Sequence, residues 1–410
     1  MDMLAPYRSR CMMEEVMEMH RHFPCVLITG ARQTGKSTML QEMMPEGMTY
    51  LNMDDVMLCA DARNNPIRFL EQHGTPLCID EIQYVPELFR SIKLIVDRNR
   101  RPGMFWLSGS QRFHLMQGVS ESLAGRIGIV DLYTMSQREA AGQGLNSPPF
   151  SHAAMETLVA DAPVCSKTEL FARIWRGGYP ELVTDETLTN DRFFSSYVST
   201  YIERDVHALT QVTDRSDFAR LMRAAAMRTG QQLVYSNLAQ DVGVSPKTVQ
   251  RWLSVLETSG IISLLEPYSV NTTKRLVKAP KLYFTDTGLC CWLCGLGSPE
   301  ALLNSPLAGA MLETYAYGQI LRSYANRGQR PRLCYYRDKN GAEVDFLLEA
   351  DMVLTPVEVK MNSLPQPTDL KAARGIPTGF CSMGPGIILC TEERLTAIGD
   401  GITAFPISGI

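Results

Sequence analysis

In the first third of the chain, short apolar runs alternate with segments whose apolar residues recur at helical spacing. A wholly apolar strand is typical of a parallel sheet that is covered on both faces. Strands are predicted at five of these runs: 25–28, 48–53, 76–82, 104–110 and 127–133. Helices are predicted between them at 37–44, 67–72 and 87–99. This alternation predicts an α/β fold around a parallel sheet.

A glycine-containing segment joins the first predicted strand to the first predicted helix. From Gly30 to Ser37 it fits the pattern GxxxxGK[ST] without a mismatch. Such a loop turns backbone N–H groups toward phosphates, its lysine reaches the β- and γ-phosphates, and its last hydroxyl binds Mg²⁺. We therefore expect Ser37 to hold Mg²⁺ and a nucleoside triphosphate to contact Gly30, Ala31, Arg32, Gln33, Thr34, Gly35, Lys36, Ser37 and Thr38.

The third predicted strand ends in two carboxylates, Asp80 and Glu81. Ligands of open α/β sheets lie at the carboxyl ends of the strands. We expect Asp80 to support Mg²⁺ and Glu81 to polarise the water that attacks the γ-phosphate. Two solvated carboxylates that simply close a strand are the alternative interpretation.

Two further residues are candidates for phosphoryl-transfer chemistry. Ser110 ends the fourth strand, where a hydroxyl can sense the γ-phosphate, and we favour it over Ser108; a plain turn is the alternative. Arg126 directly precedes the fifth strand. A guanidinium there can act as an arginine finger on the nucleotide of a neighbouring subunit, which requires a homo-oligomer. An ordinary surface arginine is the alternative.

The middle of the chain is predicted to be helical. A connection at 141–168 leads to a segment, 191–209, whose wide apolar stripe favours a lid helix packed on the nucleotide-binding core. From residue 218, three helices and a hairpin are predicted. The third helix, over 247–258, begins with Ser245 as N-cap and Pro246 as first residue.

The hairpin region has a local basic charge. Residues 246–281 contain six basic residues against two acidic ones, and the third helix is expected to turn Lys247, Gln250 and Arg251 outward while its apolar residues face inward. The basic side fits the phosphates of DNA, with this helix in a major groove. A protein-interaction or lid module is the alternative.

The carboxyl-terminal pattern predicts a helix and three strands, at 310–326, 333–337, 343–348 and 353–360. Because strand side chains alternate, Glu358 and Lys360 share one face, and Asp345 can face them across the hairpin. This arrangement suits metal-dependent phosphodiester hydrolysis, with Asp345 and Glu358 on Mg²⁺ and Lys360 positioning hydroxide. A polar-faced hairpin or an inactive nuclease fold is the alternative.

Together these motifs resemble the AAA-type P-loop ATPases of bacteria and archaea, in particular those with a nuclease-like carboxyl-terminal domain of unknown function. The matching segments are 30–37, 79–83, 107–110 and 123–126. The resemblance implies ATP and Mg²⁺ as cofactors. The segment 177–180 looks like the Gly-x-Pro element that couples nucleotide state to the next domain in related signalling ATPases.

Two downstream regions also resemble known folds. Residues 231–298 resemble a winged helix-turn-helix. Asp345, Glu358, Lys360 and the helix residue Glu313 resemble the restriction-endonuclease-like PD-(D/E)xK site, although Val344 stands where that motif has proline.

Composition agrees with a folded, several-domain protein. The chain has 410 residues, 45% of them hydrophobic and 20% charged, with a net charge of −4. Its apolar runs are shorter than the roughly 18 residues that a membrane span needs. Eleven scattered cysteines suit reduced thiols, and buried thiols are favoured over a metal site for the group Cys290, Cys291 and Cys294. We expect a cytoplasmic protein without a membrane partner.

The predicted organisation is an AAA-type P-loop ATPase domain at 1–165, a helical lid at 166–230, a winged helix-turn-helix at 231–298 and an α/β PD-(D/E)xK nuclease-like domain at 299–410. The predicted function is Mg²⁺-dependent ATP binding and hydrolysis, with the nucleotide state controlling a DNA-binding or nuclease-like carboxyl-terminal region. The alternative is a nucleotide-dependent signalling or partner-binding switch with an inactive nuclease fold.

Overall fold

The computed structural model describes residues 7–110, 115, 118–119, 121–162, 165–201, 215–270 and 279–410. Sheets of five, three and seven strands organise these residues. The predicted lid helix beyond residue 201 and the basic residues Lys274, Arg275 and Lys278 lie outside the described part. Within that part, each helix is too short or too polar to cross a membrane.

The amino-terminal sheet is parallel throughout, with strand order β2-β3-β4-β1-β5. Its strands are β1 (Cys25–Thr29), β2 (Thr49–Asn52), β3 (Leu77–Asp80), β4 (Phe105–Gly109) and β5 (Ile127–Asp131). Successive residues of β1 enter different cores: Cys25 and Leu27 lie in one, and Val26 and Ile28 lie in the other. This two-sided burial is the reason that the strands are wholly apolar, and the predicted α/β parallel sheet is confirmed.

Five helices accompany this sheet: α1 (Met12–His22), α2 (Lys36–Met43), α3 (Val56–Asn64), α4 (Pro66–His73) and α5 (Glu87–Arg98). The sequence pattern missed α3. Only Ala62 of this helix is buried, so it has no apolar stripe to detect. Its start is set instead by Asp55, whose carboxylate accepts hydrogen bonds from the N–H groups of Met57 and Leu58.

Short helices lead from the sheet into the lid region: α6 (Gln137–Ala141), α7 (Met155–Ala160), α8 (Lys167–Arg176), α9 (Pro180–Thr184) and α10 (Asn190–Tyr201). Reciprocal capping boxes, Ser136 with Glu139 and Ser166 with Glu169, begin α6 and α8. Helix α7 interrupts the predicted connection at 141–168. Helix α10 forms where the lid helix was predicted.

The middle region contains the helices α11 (Arg215–Ala226), α12 (Tyr235–Val242), α13 (Pro246–Thr258), α14 (Thr287–Leu293) and α15 (Pro299–Leu303). Its antiparallel sheet has the order β6-β8-β7, with β6 (Gln231–Gln232), β7 (Ile262–Leu265) and β8 (Lys281–Phe284). The Ser245 side chain caps α13 by accepting from Thr248 N–H, and Lys247, Gln250 and Arg251 are exposed, as predicted. The strand β6 was not predicted.

The carboxyl-terminal region consists of a long helix, α16 (Ala308–Ala325), and seven strands. They are β9 (Arg332–Arg337), β10 (Glu343–Ala350), β11 (Val353–Val359), β12 (Ser382–Met383), β13 (Gly386–Cys390), β14 (Thr396–Gly399) and β15 (Ile402–Pro406), in the order β14-β15-β13-β11-β10-β9 with β12 beside β11. The antiparallel pairs of β9, β10 and β11 agree with the prediction. The last four strands were missed.

One guanidinium joins three parts of the molecule. Arg322, on α16, donates through Nε to the carbonyl of Thr134 at 2.8 Å and through Nη2 to the Thr134 hydroxyl at 2.5 Å. The same Nη2 donates to the carbonyl of Thr285 at 2.6 Å. Arg322 is 5% exposed, so these contacts replace its water. They link the loop after β5, the loop after β8 and α16.

We predict that Arg322→Leu lowers the free energy of unfolding by about 3 kcal/mol, because buried oxygens of Thr134 and Thr285 lose their donor. Urea denaturation followed by circular dichroism measures this change. The matched control is Arg330→Leu, whose side chain is 77% exposed in its ion pair with Asp131; its effect should stay below about 1 kcal/mol. Equal effects of the two variants would contradict the structural role of Arg322.

Candidate functional site

The loop between β1 and α2 requires glycine at a defined position. Gly30 has φ +155°, and a Cβ placed on it would lie 2.1 Å from the carbonyl oxygen of Leu132. Gly35, with φ +89°, precedes α2 in the left-handed region. These backbone conformations leave the loop compact, as the P-loop pattern predicts.

Lys36, the first residue of α2, is buried over this loop. Its Nζ donates to the carbonyl oxygens of Gly30 at 3.0 Å and Ala31 at 2.7 Å. The Thr34 hydroxyl donates to the same Ala31 carbonyl at 2.9 Å. The ammonium group therefore lies at the centre of the loop.

A buried arginine that was not predicted from the sequence supports the loop from outside. Arg10 donates from Nη1 to the Thr34 carbonyl and from Nη2 to the Tyr133 carbonyl, both at 2.7 Å. Its Nε contacts Glu139 Oε1 at 3.0 Å. Arg10 precedes α1 in a segment without a recognised motif, so only the tertiary structure identifies it. Its contacts hold the P-loop against the end of β5 and the start of α6.

A cavity of about 430 Å³ lies beside the P-loop and is lined by Arg32, Gln33, Gly35, Lys36, Ser37, Thr38, Glu81, Tyr197 and Thr200. The structure thus brings Glu81 together with most of the predicted phosphate-binding residues. Tyr197 and Thr200 come from α10, so the predicted lid helix borders this cavity. One cavity is thus lined by the residues that carry an ammonium, a hydroxyl and a carboxylate: Lys36, Ser37 and Glu81. This combination of groups fits a triphosphate with Mg²⁺.

Asp80, at the end of β3, is buried between two neighbouring strands. Its Oδ2 accepts from the Tyr50 hydroxyl at 2.5 Å, and its Oδ1 accepts from the Ser108 hydroxyl. Tyr50 and Ser108 stand on β2 and β4, so the strand order places both hydroxyls beside this carboxylate. The contribution of Tyr50 was not predicted from the sequence. The Mg²⁺ role of Asp80 stays a prediction.

Glu81 combines an unusual backbone with a polar partner. It adopts φ +54°, a conformation that costs energy in a residue with a side chain. The Gln83 amide donates to its Oε2. Burial raises the pKa of Glu81, while the hydrogen bond from Gln83 and the charge of Lys36 act in the opposite direction. A raised pKa suits a carboxylate that accepts a proton from water.

The other two candidates of this domain, Ser110 and Arg126, lie at opposite ends of the strands. Ser110 follows β4; its hydroxyl is buried and has no hydrogen-bond partner among the described residues. Arg126 lies at the amino-terminal ends of the strands, where its carbonyl accepts a hydrogen bond from Cys25 N–H at 3.1 Å. Its guanidinium contacts Asp97 at 2.6 Å. Arg126 therefore lies away from the P-loop of its own chain, and its role as a finger toward another chain stays a prediction.

The carboxyl-terminal candidates converge as predicted. Lys360 Nζ donates to Glu358 Oε1 at 2.7 Å, and Val359 N–H donates to Asp345 Oδ2 at 2.9 Å. Asp345 N–H approaches Glu358 Oε2 at 3.4 Å. Asp345 lies at an irregularity in the β9–β10 pairing, between Val344 and Leu347, and such bulges re-aim side chains.

Lys281, on β8, also enters this cluster. Its Nζ lies 2.9 Å from Glu313, 2.5 Å from Glu343 and 3.8 Å from Asp345, and its side chain is 2% exposed. Lys281 is one of the six basic residues counted over 246–281, but its burial keeps it from contributing to a basic surface. A lysine within a short apolar strand gives no sign of its buried partners, which stand more than thirty residues away.

The electrostatics of the cluster are dominated by burial. Burial and the Asp345 charge raise the pKa of Glu313 to about 7, against the effects of Lys281 and Tyr283. Burial and the Asp345 charge likewise raise the pKa of Glu358 to about 7, against Lys360. Burial lowers the pKa of Lys281, but its carboxylate neighbours raise it by more. Lys281 therefore stays protonated.

The arrangement of this cluster does not fit a bound metal ion in the described conformation. The oxygens of Asp345 and Glu358 already form hydrogen bonds or ion pairs with lysines and backbone N–H groups. Across the described ranges, no three His, Cys, Asp or Glu side chains converge in a way that would hold a metal ion. Metal binding by Asp345 and Glu358 stays a prediction.

We predict that Gly30→Ala abolishes nucleotide binding, because the added Cβ would overlap the Leu132 carbonyl and displace the loop. Lys36→Ala should also abolish it, by removing the ammonium that reaches the phosphates. Titration with a fluorescent ATP analogue measures both. The control is Gly297→Ala, where a Cβ meets no atom within 4 Å; binding should match the unaltered chain. Retained affinity in Gly30→Ala would contradict the assignment.

Family models match three parts of the chain. Residues 22–141 match the model of an AAA domain. Residues 167–300 and 308–410 match two domains of unknown function, DUF8612 and DUF4143.

Similar proteins are found in bacteria and archaea. Uncharacterized proteins of Mycobacterium bovis and Mycobacterium tuberculosis are each 29% identical over 391 residues, which cover 94% of this chain and 78% of the relative. The solved structure of the Walker-type ATPase of Pyrococcus abyssi is similar at 15% identity and a TM-score of 0.44, over 69% of this chain and 94% of that chain.

The AAA match covers the five-stranded sheet, the loop at Gly30–Ser37 and the carboxylates Asp80 and Glu81. These are the parts that line or support the cavity beside Lys36. The amino-terminal part of the chain is therefore similar to AAA domains over residues 22–141.

Proposed function

We propose that this protein is a Mg²⁺-dependent ATPase whose nucleotide state alters the position of the middle region and, through it, a DNA-binding surface and the carboxyl-terminal region. The observation that carries this proposal is the close approach of the P-loop to the turn after α13. A Cβ placed on Gly260, in the turn after α13, would lie 3.6 Å from the backbone nitrogen of Ala31. We therefore expect a change in the loop on phosphate binding to displace the end of α13.

In the proposed reaction, the P-loop N–H groups and Lys36 bind the β- and γ-phosphates. Ser37 and Asp80 would hold Mg²⁺, which neutralises the developing phosphate charge. Glu81 orients a water molecule and takes its proton, since its carboxylate lines the same cavity as Lys36. Tyr197 and Thr200 close the cavity from the lid helix and restrict the entry of other water.

Three contacts provide a route from this site to the rest of the chain. A Cβ on Gly35 would lie 3.4 Å from Pro180, so the segment 177–180 packs on the P-loop. Within that segment, Gly178 N–H donates to Asp286 Oδ2 at 2.8 Å. Asp286 follows Thr285, whose carbonyl accepts from Arg322. The P-loop, the turn after β8 and α16 are thus joined through consecutive contacts.

The DNA part of the proposal depends on the exposed face of α13. Val249, Trp252, Leu253 and Leu256 are buried, whereas Lys247, Gln250 and Arg251 are exposed on the opposite side. A capped helix with an outward basic face fits the phosphates and base edges of a major groove. Because Gly260 terminates this helix at the P-loop, nucleotide binding is expected to change how the face is presented.

We predict that Glu81→Gln keeps ATP affinity within about twofold and lowers the hydrolysis rate by at least about 100-fold, because the amide cannot accept a proton from water. Phosphate release and analogue binding measure the two quantities. The matched control is the exposed Glu87→Gln, on α5, which should hydrolyse ATP normally. Normal turnover in Glu81→Gln would remove Glu81 from the role of base.

We also predict that ATP changes the affinity for duplex DNA by at least about fivefold, and that this change disappears in Lys36→Ala. Fluorescence anisotropy with labelled duplexes, with and without ATP and Mg²⁺, measures it. The double variant Lys247→Gln/Arg251→Gln should weaken binding by about tenfold and reduce its salt dependence. An affinity that is insensitive to both nucleotide and these substitutions would refute control of DNA binding by α13.

The second candidate function is a nucleotide-dependent signalling or partner-binding switch without strand cleavage. The ion pairs of Lys281 and Lys360 favour it, because these two lysines already lie beside Asp345 and Glu358, the carboxylates that the predicted cleavage mechanism needs for a metal ion. Under this alternative, ATP binding changes partner affinity while Mg²⁺-dependent cleavage of DNA is absent. Cleavage that is lost in Asp345→Ala would instead support the nuclease.

A further inference from the structure

The acidic cluster of the carboxyl-terminal region is completed by the middle region. Glu313 comes from α16, Glu343 and Asp345 come from β10, and Glu358 comes from β11. Lys281 comes from β8, which belongs to a different sheet. Tyr283, two residues further along β8, donates its hydroxyl to Glu313 Oε1 at 2.5 Å. Strand β8 therefore supplies both a cation and a hydrogen-bond donor to the carboxylates.

The Lys281 ammonium occupies the space between the carboxylates of this cluster. Its Nζ lies between carboxylates of α16 and β10, at 2.9 Å from Glu313 and 2.5 Å from Glu343. Asp345 Oδ1 is 3.8 Å from the same nitrogen. An ammonium at these distances occupies the space of a small cation and repels a second positive charge. Lys360 neutralises the remaining carboxylate, Glu358, at 2.7 Å.

Contacts of the segment after β7, of Gln232 and of Tyr283 hold the middle sheet, and β8 within it, against the carboxyl-terminal region. The segment before β8 joins β9: Tyr268 N–H donates to the Tyr335 carbonyl at 2.6 Å, and Tyr335 N–H donates to the Glu266 carbonyl at 3.1 Å. The Tyr335 hydroxyl accepts from Gln232 at 2.8 Å. The ring of Tyr283 stacks on Tyr317 at 4.4 Å. Lys281 is thus held in the cluster by the docking of the whole middle sheet.

We propose that Lys281 is the resident cation of this cluster and excludes a divalent cation while the middle region is docked on the carboxyl-terminal region. The cluster becomes a divalent-cation site only when the Lys281 ammonium is withdrawn. This makes β8 an autoinhibitory element, with Lys281 as a positioning residue that acts through the carboxylates. The proposal concerns the nucleotide-free chain and does not depend on ATP hydrolysis.

Binding of Mn²⁺ to the nucleotide-free full-length chain tests this proposal, with free Mn²⁺ quantified by electron paramagnetic resonance. The unaltered chain and Asp345→Asn should bind Mn²⁺ equally, because the cluster takes none. Lys281→Gln should gain one site at least about tenfold tighter than any background site, and Lys281→Gln/Asp345→Asn should lose it. Lys281→Arg, which keeps the positive charge, should gain no site.

Two outcomes would overturn the proposal. The first is that the unaltered chain binds Mn²⁺ and that Asp345→Asn abolishes this binding. This outcome requires no substitution of Lys281, so it can be measured even if the Lys281 variants fold poorly. The second is a Lys281→Gln chain that keeps its circular dichroism spectrum and its ATP affinity yet binds no additional Mn²⁺. The exposed Lys371→Gln is the matched control for loss of one lysine charge and should bind Mn²⁺ like the unaltered chain.

Discussion

The arrangement of this molecule depends on the burial of the Arg322 guanidinium. A buried charge is tolerated only when hydrogen bonds replace its water, and the acceptors for Arg322 come from Thr134 and Thr285, in two other parts of the chain. The loop after β5, the loop after β8 and α16 must therefore meet at one point. Arg10 imposes a similar constraint on the P-loop through Thr34 and Glu139.

These constraints place two chemically different sites in one continuous framework. A single core of buried residues extends from Phe150 to Ile410 and includes the lid, the middle region and one face of the seven-stranded sheet. Packed cores of this kind shift between discrete arrangements and do not deform smoothly. The P-loop lies close to this framework at Gly260 and Pro180, and Lys281 extends from the framework into the acidic cluster. A change at one site has a physical route to the other.

Much of the nucleotide site follows from local sequence because its chemistry is local. The spacing from Gly30 to Ser37 defines a loop, and an apolar strand that ends in Asp80 and Glu81 defines the edge of a sheet. The burial of both faces of β1 then confirms the strand prediction. By contrast, α3 has no apolar stripe, and β13 and β15 pair in parallel across long connections. Their pairing depends on contacts with distant segments.

The sequence by itself determined the P-loop, the parallel sheet and the alternation that puts Glu358 and Lys360 on one face, since backbone geometry and residue period act over a few neighbours. Only the tertiary structure decided which charges meet. Lys281 looked like one of several basic residues near a hairpin, but the docking of β8 buries it among Glu313, Glu343 and Asp345. Desolvation and pairing of charges depend on what surrounds them in space, which the order of residues does not specify.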